Sequence, residues 1–578
     1  MKSTETPFLP IDRDGMNRCG WNGVDVVLVT GDAYVDHPAF GAAVIGRVLE
    51  AAGYRVGIIA MPDRRDPAAM TVFGRPRLFF GVTSGNTDSM ISNYTAFKRP
   101  RRDDPYVPEG RTGRRPDRAV IVYANLIRQV YRDVPIVLGG IEASMRRMAH
   151  YDFWDDRVRR SILLDSRATA VVYGMAESSV IALAGRMERG EEPVGIPNTV
   201  TVRSGIPEDA VLLPDEAEVL GSRSAFLEFY RQFYTWQHSR LVQHSGNRFL
   251  VHEPPDSGFR SEDLDRIYAL PFTRRPHPVY EAVIPAYEMI RDSVTSHRGC
   301  VSGCSFCSLT LHQGRRIVSR SPKSVLNEVG RIASAPDFRG HITDIGGPSA
   351  NMYGFGCEKD WVCGRESCLF PGLCPNLRLS GKAWPDLLER ASRIPNVRRV
   401  TVGSGIRYDV FMLGADPVKR LRRLVRGHVS GQLKIAPEHT DPAVLRAMRK
   451  TPLYDLDRFI RDFREADASA GKTQFLIPYL MSNHPGSTAP NMRAMRRAVR
   501  RQFRFTPEQV QAFIPLPMTL SSVIHYTGED PLTGETFPVT RDPAARRRQH
   551  AVFFGKTAGR SSRRRPSPRS PDQKEKIR

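Results

Sequence analysis

VDVVLVT, residues Val24–Thr30, is a short and almost continuously apolar run. The turn GDAYVDHPAFG follows it and leads into a helical stretch at Ala42–Ala52 that Gly53 stops. A strand without polar alternation is one buried on both faces, as in a parallel sheet. The pattern recurs. YRVGIIA (Tyr54–Ala60), RLFFG (Arg77–Gly81), PIVL (Pro135–Leu138) and ATAVVY (Ala168–Tyr173) read as further strands, with a helix over Arg118–Tyr131. Strand and helix in alternation predict an α/β fold whose first part, residues 1–205, is a doubly wound parallel sheet. Such sheets take ligands beyond the carboxyl ends of their strands. Here those ends carry Gly31-Asp32, Gly81–Gly85, Gly139-Gly140 and Gly174.

Residues 206–283 have weaker periodicity, an aromatic run (FLEFYRQFYTW) and a Pro-rich stretch, and read as a helical connector. From 284 to 540 the alternation resumes. Strands are expected at Asp292–Thr295, His341–Ile345, Val397–Val402, Gln432–Ile435, Gln474–Ile477 and Gln511–Ile514, and a helix at Ser324–Ser334. This series predicts a (β/α) barrel of the TIM type, partial or complete, with its chemistry in loops after the strand ends. The first such loop is HRGCVSGCSFCS, His297–Ser308, in which Cys300, Cys304 and Cys307 stand as Cys-x3-Cys-x2-Cys with Phe306 before the last. Three thiolates hold three corners of a cubane iron–sulfur cluster and leave one iron open to a ligand that is not protein. The blander readings are three buried thiols or a zinc knuckle, and a knuckle usually shows paired cysteines and a fourth ligand.

Composition narrows the class. Of eight cysteines, seven lie between Cys300 and Cys374, which in a chain with a polar N-terminus and no apolar leader core points to metal binding in a reducing cytoplasm. No run of about 18 apolar residues offers a membrane span. Cys357, Cys363, Cys368 and Cys374 form a second group that reads as a zinc site or an auxiliary iron–sulfur cluster. The net charge of +23 suits RNA contact or simply an arginine-rich composition, and residues 541–578 read as a basic, disordered tail. His297, His439 and His484 are candidate pocket histidines, read as structural before catalytic.

Further strings follow the cysteine loop in one order: DIGGPSANMYG, GSGIRYD, LKIAPEHT, YLMSNHPGST and FIPLPMTLSSVIHYTG. Together they resemble the radical S-adenosylmethionine (SAM) enzymes, and within them the YgiQ-type family, from about residue 15 to beyond 550. The resemblance implies a 4Fe-4S cluster on Cys300, Cys304 and Cys307 whose open iron chelates SAM. It implies reductive cleavage of SAM to methionine and a 5′-deoxyadenosyl radical, with an electron donor such as flavodoxin or ferredoxin. Cofactor-binding positions carried over are Phe306, Gly346, Gly347, Ser404, Arg407 and Lys434, Arg407 pairing with the SAM carboxylate. Pro348 stands where the family norm has an acid.

The N-terminal part, with GDAYVDHPAFG and VLGGIEAS, is similar to cobalamin-binding domains. It lacks their Asp-x-His-x-x-Gly pattern, since Asp36 and His37 are adjacent and Gly41 lies four beyond His37. Cobalamin, another ligand, or none is therefore left open. The substrate, small molecule or RNA, is open too. The alternatives are a methyl- or methylthio-transferase acting on RNA and, from another class, a zinc-stabilised nucleic-acid-binding protein.

Overall fold

The computed structural model describes residues 7–361 and 363–555. Strand β1 (Val26–Thr30) pairs with β2 (Val56–Ala60) on one side and β3 (Phe79–Thr83) on the other, and β4 (Ile136–Leu138) and β5 (Ala170–Val172) follow. All five are parallel, in the order 2-1-3-4-5, so the direction of winding reverses between β1 and β3. That switch point is where doubly wound sheets open a crevice. The strands are apolar throughout because both faces are covered. Val27, Val29, Phe80 and Leu138 join one core with helix α1 (Ala119–Val130). Their neighbours Val26, Leu28, Phe79 and Val137 join the other, under the helices Gly41–Ala51 and Glu177–Glu188.

The sheet does not stop at residue 205. Strands β6 (Thr199–Arg203), β7 (Val211–Leu213), β8 (Leu241–Ser245) and β9 (Arg248–His252) extend it to nine, in the order β7-β8-β9-β6-β5, through antiparallel pairs and one parallel pair, β7 with β8. The expected all-parallel sheet is therefore a mixed one, and the first half of 206–283 is no connector. Helix α2 (Arg223–Trp236) buries Phe226, Phe229, Tyr230 and Phe233 in the same core, together with Met518, Leu520 and Val523 from the far end of the chain.

The second half is an arc of short parallel strands. β10 (Ser293–Thr295) pairs with β11 (Asp344–Gly346), and His341–Ile342, just ahead of β11, pairs with β12 (Arg399–Val400). A bridge from Ile406 to Ile435 leads to β13 (Gln432–Glu438), which pairs with β14 (Phe475–Ser482), and β14 with β15 (Gln511–Ala512). Among the described residues no ladder joins β15 back to β10. Amphipathic helices cover its outside. In α3 (Pro417–His428) Leu421, Leu424, Val425 and His428 are buried at helical spacing, with arginines between them.

The tail begins later than its charge suggests. Helix α4 (Pro543–Phe553) buries Arg546, Gln549 and Phe553, and Arg546 donates to the carbonyl of Phe513 at 2.5 Å. Residues 556–578, the rest of the expected tail, lie outside the described residues. Among the described residues no helix is long and apolar enough to cross a membrane.

One ion-pair cluster sets an acid limit on this fold. Asp25, just ahead of β1, accepts from Arg55 Nη2 at 2.9 Å and Arg77 Nε at 2.7 Å. Burial alone would raise its carboxyl, but the hydrogen bonds from Arg55 and Arg77 prevail and hold it at about 2 against an ordinary 3.8. A depressed carboxylate stabilises the fold above its ordinary value and loses that contribution as pH falls through the folded one. Denaturation midpoints should therefore fall between pH 3.8 and about 2, and Asp25→Asn should flatten that limb. An acid limb of unchanged steepness in the variant would contradict the assignment.

Candidate functional site: a cysteine loop beside a crevice

β10 ends at Thr295, and His297–Arg298 pairs antiparallel with Val318–Ser319 to close the base of the cysteine loop. Gly299 is at φ +88° with its missing side chain against the Arg316 carbonyl, which requires glycine. The loop is pinned from the far side of the arc. Ser305 donates through N to the Met448 carbonyl at 3.1 Å and through Oγ to that of Ala447 at 2.7 Å. Ser521 donates to Ser305 Oγ at 2.8 Å and is itself 2.7 Å from His484 Nε2. Phe306 lies against Val444, Leu445, Met448, Met481 and Phe513, edge-on to His484, so it anchors the loop by packing.

Burial raises the thiols of Cys304 and Cys307, the latter to about 12, with the neighbouring cysteines adding to it. Two cations oppose this at Cys304, Lys450 and Arg407. Arg407 Nη1 is 3.9 Å from Cys304 Sγ, and Lys450 is held by Glu438 at 2.8 Å. Three half-buried cysteines with two fixed cations beside Cys304 suit thiolate ligands of an anionic cluster. Among the described residues no three His, Cys, Asp or Glu side chains converge on one ion. Three thiols at Cys-x3-Cys-x2-Cys spacing, with no fourth protein ligand beside them in the loop, are the donor set it offers.

The remaining predicted cofactor residues fall at the next strand ends, with changed partners. Arg407 is not free to fork onto a ligand carboxylate. Asp409 takes its Nε at 2.8 Å and Nη2 at 3.0 Å, and only Nη1 is left facing the cysteines. The carbonyl of Gly346 accepts from Ser296 N at 2.7 Å and Ser296 Oγ at 3.1 Å. Ser404 and Lys434 hold the strand ends together: Ser404 Oγ donates to Asp344 at 3.2 Å, and Lys434 Nζ to the carbonyl of Gly403 at 3.0 Å. A side chain on Gly347 would meet the His297 ring at 2.6 Å and the His297 carbonyl at 2.7 Å. His297 is fully buried, and burial lowers its pKa to about 4, as it does for His439; His484 falls to about 3. All three are neutral near pH 7, and none is poised as a base there.

Between the sheet and the arc runs a cavity of about 580 Å³. Its sheet side is glycine at the strand ends, Gly81, Gly85, Gly139, Gly140 and Gly174, and its arc side includes His297, Asp344, Gly346 and Gly347. Two buried polar atoms on its wall residues lack a partner, His297 Nε2 and Glu177 Oε2. Gly31 and Asp32, expected at the same edge, do not line it. Arg115 instead ties Asp32 to Asp104, at 2.8 and 3.0 Å, below the crevice. His37 is not on the wall either; it is buried, and its Nδ1 accepts from Ala39 N at 3.1 Å. The residues that sequence reasoning missed are Asp344, Glu177, Lys450 and Asp409. Asp344 and Asp409 lay within quoted strings, but what they bind is set by the fold.

Residues 8–293 match the family model described as "Radical SAM N-terminal", and residues 508–556 match a domain of unknown function, DUF3362. The first match runs across the supposed connector, and the second takes in α4. A UPF0313 protein of Methanocella arvoryzae is 46% identical over 553 residues, 94% of this chain and 92% of that one. One from Thermotoga maritima is 43% identical over 568 residues, 96% of this chain and all of the relative. The chain belongs to the UPF0313 family. With the radical SAM N-terminal domain, it is an enzyme of the radical SAM class. Among solved structures, the radical SAM methyltransferase TsrM from Kitasatospora setae aligns with TM-score 0.49 and 18% identity, over 86% of this chain and 75% of that one. The cobalamin-dependent radical SAM enzyme OxsB aligns with TM-score 0.45 and 11% identity, over 82% of this chain and 52% of that one.

Proposed function

We propose that Cys300, Cys304 and Cys307 hold a 4Fe-4S cluster, that SAM binds between it and the Gly346-Gly347 turn, and that the crevice takes a corrinoid of the cobalamin type. The observation that carries the reading is the single cavity running from the glycine strand ends of the sheet to Gly347 and His297. The cluster, when bound and reduced by a one-electron donor such as flavodoxin or ferredoxin, supplies the electron for SAM cleavage. The chain's own residues hold the parts in place. Arg407 and Lys450 offset the negative charge of the sulfurs, and Ser305 and Phe306 fix the loop. Gly346 and Gly347 let backbone approach where a side chain would strike Ser404 or His297. The glycines at the strand ends leave the sheet side of the cavity free of side chains at those positions, and the unpartnered Glu177 Oε2 and His297 Nε2 can meet polar groups of a ligand. His37 has no part in holding the corrinoid. The substrate, small molecule or RNA, is not assigned.

Two substitutions test the reading. Gly347→Ala would press a methyl group onto a buried ring and carbonyl. Overpacking of this kind costs about 1–3 kcal/mol of stability and displaces the turn against His297, so SAM affinity by calorimetry should fall by about tenfold or more; unchanged affinity would remove SAM from this turn. A Cβ at Gly139 meets no atom closer than 3.8 Å and the backbone there is extended, so Gly139→Leu starts its side chain from an unstrained position on the crevice wall. Hydroxocobalamin uptake, followed by absorbance after gel filtration, should be lost in the variant while its iron content stays. Equal uptake by both proteins, or none by the wild type, would sink the corrinoid assignment.

A further inference from the structure

The second cysteine group takes no part in the reading above, yet the fold gathers it. Arg315 Nη1 lies 3.2 Å from Cys363 Sγ and 3.5 Å from Cys368 Sγ, and Nη2 lies 3.2 Å from Cys363 Sγ. Cys374 N donates to the Cys368 carbonyl at 2.8 Å. Cys357 stands opposite Leu377 in a two-residue ladder, and Leu377 N donates to the Cys374 carbonyl at 3.1 Å. Cys357, Cys368 and Cys374 are all buried, and none of the four is in a disulfide.

The loop is built against the first one. Cys368 N donates to the Val301 carbonyl at 3.0 Å, Ser367 Oγ to that of Ser302 at 2.6 Å, and Gly303 abuts the carbonyl of Glu366. Arg449 ties Glu366 to Asp530. Cys368, Cys374 and, at the edge, Cys300 share one small apolar cluster. The sequence between the ligand positions (EKDWVCGRES) is polar and could not order itself by burial alone. A bound centre supplies what apolar area does not.

The kind of centre follows from the donors. Cys363 and Cys368 share one guanidinium, and Cys368 and Cys374 share one buried cluster with Cys300 at its edge. A permanently charged guanidinium donating to two of the sulfurs is suited to an anionic cluster, whose potential such hydrogen bonds set. We propose that Cys363, Cys368 and Cys374, with Cys357 as fourth ligand, hold a second iron–sulfur cluster of the 4Fe-4S type, with Arg315 donating to its thiolates. Four protein thiolates close every corner, so this cluster has no site for SAM. The proposal stands independently of the SAM and corrinoid assignments, since it needs only these side chains.

The test is metal and sulfide analysis of the full chain reconstituted without oxygen. The wild type should hold about eight irons, and the Cys300→Ala/Cys304→Ala/Cys307→Ala variant about four, with the broad absorbance of a cluster retained. Cys363→Ser/Cys368→Ser should also retain about four and still turn over SAM. Arg315→Gln should keep its iron and shift the second reduction potential to more negative values. A triad variant free of iron, or one carrying zinc instead, would overturn the second cluster. If the triad variant fails to fold, Cys363→Ser/Cys368→Ser with the same iron per chain as the wild type overturns the proposal.

Discussion

Cys304→Ala is expected to bring SAM turnover down to the background of enzyme-free controls while leaving the chain folded. Two thiolates are too few to keep a cubane that already lacks one protein ligand. Cys304 is also the sulfur that the site's two cations face, at 3.9 Å in the case of Arg407 Nη1. The fold does not depend on it, since the arc has its own core of Val294, Ile345, Leu388, Leu424, Leu433 and their neighbours. Circular dichroism should therefore be unchanged, whereas the iron of the first site and every SAM-derived nucleoside should be lost. A variant that cleaved SAM at the wild-type rate would show that the motif does not carry the chemistry.

Arg407→Ala has the largest expected effect on stability. The Arg407 and Asp409 side chains are 6% and 2% exposed and pair through two hydrogen bonds. Burial works against the arginine's charge, yet Asp409 and the cysteines more than restore it, and the partner carboxyl is held below its ordinary value despite its own burial. Removing one member of a buried pair leaves the other charge uncompensated, at a cost of about 3–5 kcal/mol. Denaturant unfolding should show a loss of that order for Arg407→Ala. The double variant Arg407→Ala/Asp409→Ala should lose less than the sum of the single changes, because residues in one network are not additive. Additive losses, or a single-variant cost under about 1 kcal/mol, would mean that the pair does not hold this strand end.

How much of this could be read from the residues differs between the two halves. The parallel strands were legible because strands buried on both faces leave unbroken apolar runs, as in VVLVT and VGIIA. Strands β8 and β9 (LVQHS and RFLVH) carry exposed polar ends and no such run, so the sheet's extension passed for a connector. The helix Pro543–Phe553 was hidden by its arginines. Arg546 is buried because Phe153 and the Phe513 carbonyl, hundreds and tens of residues away, receive it. Spacing alone exposed the cysteine loop, since the ligand pattern is local. The partner of Arg407 was not legible in that sense. Asp409 stands two residues on, but nothing in GSGIRYD says that it folds back to fill the guanidinium fork.

The same limit applied to the strand-end glycines. Gly139 and Gly31 look alike in sequence, yet one lines the crevice and the other packs beneath it against Ser84. Which turn meets a ligand is decided by strand order, through the reversal between β1 and β3, and strand order is not a local property.

The central claim is that the three-cysteine loop makes this chain a SAM-cleaving enzyme. Anaerobically reconstituted protein incubated with SAM and a low-potential reductant, with products followed by mass measurement, tests it most directly. The account predicts brown protein that converts SAM to 5′-deoxyadenosine and methionine only when reductant is present. Colourless, zinc-loaded protein, or an iron-loaded protein that leaves SAM intact with reductant, would contradict it.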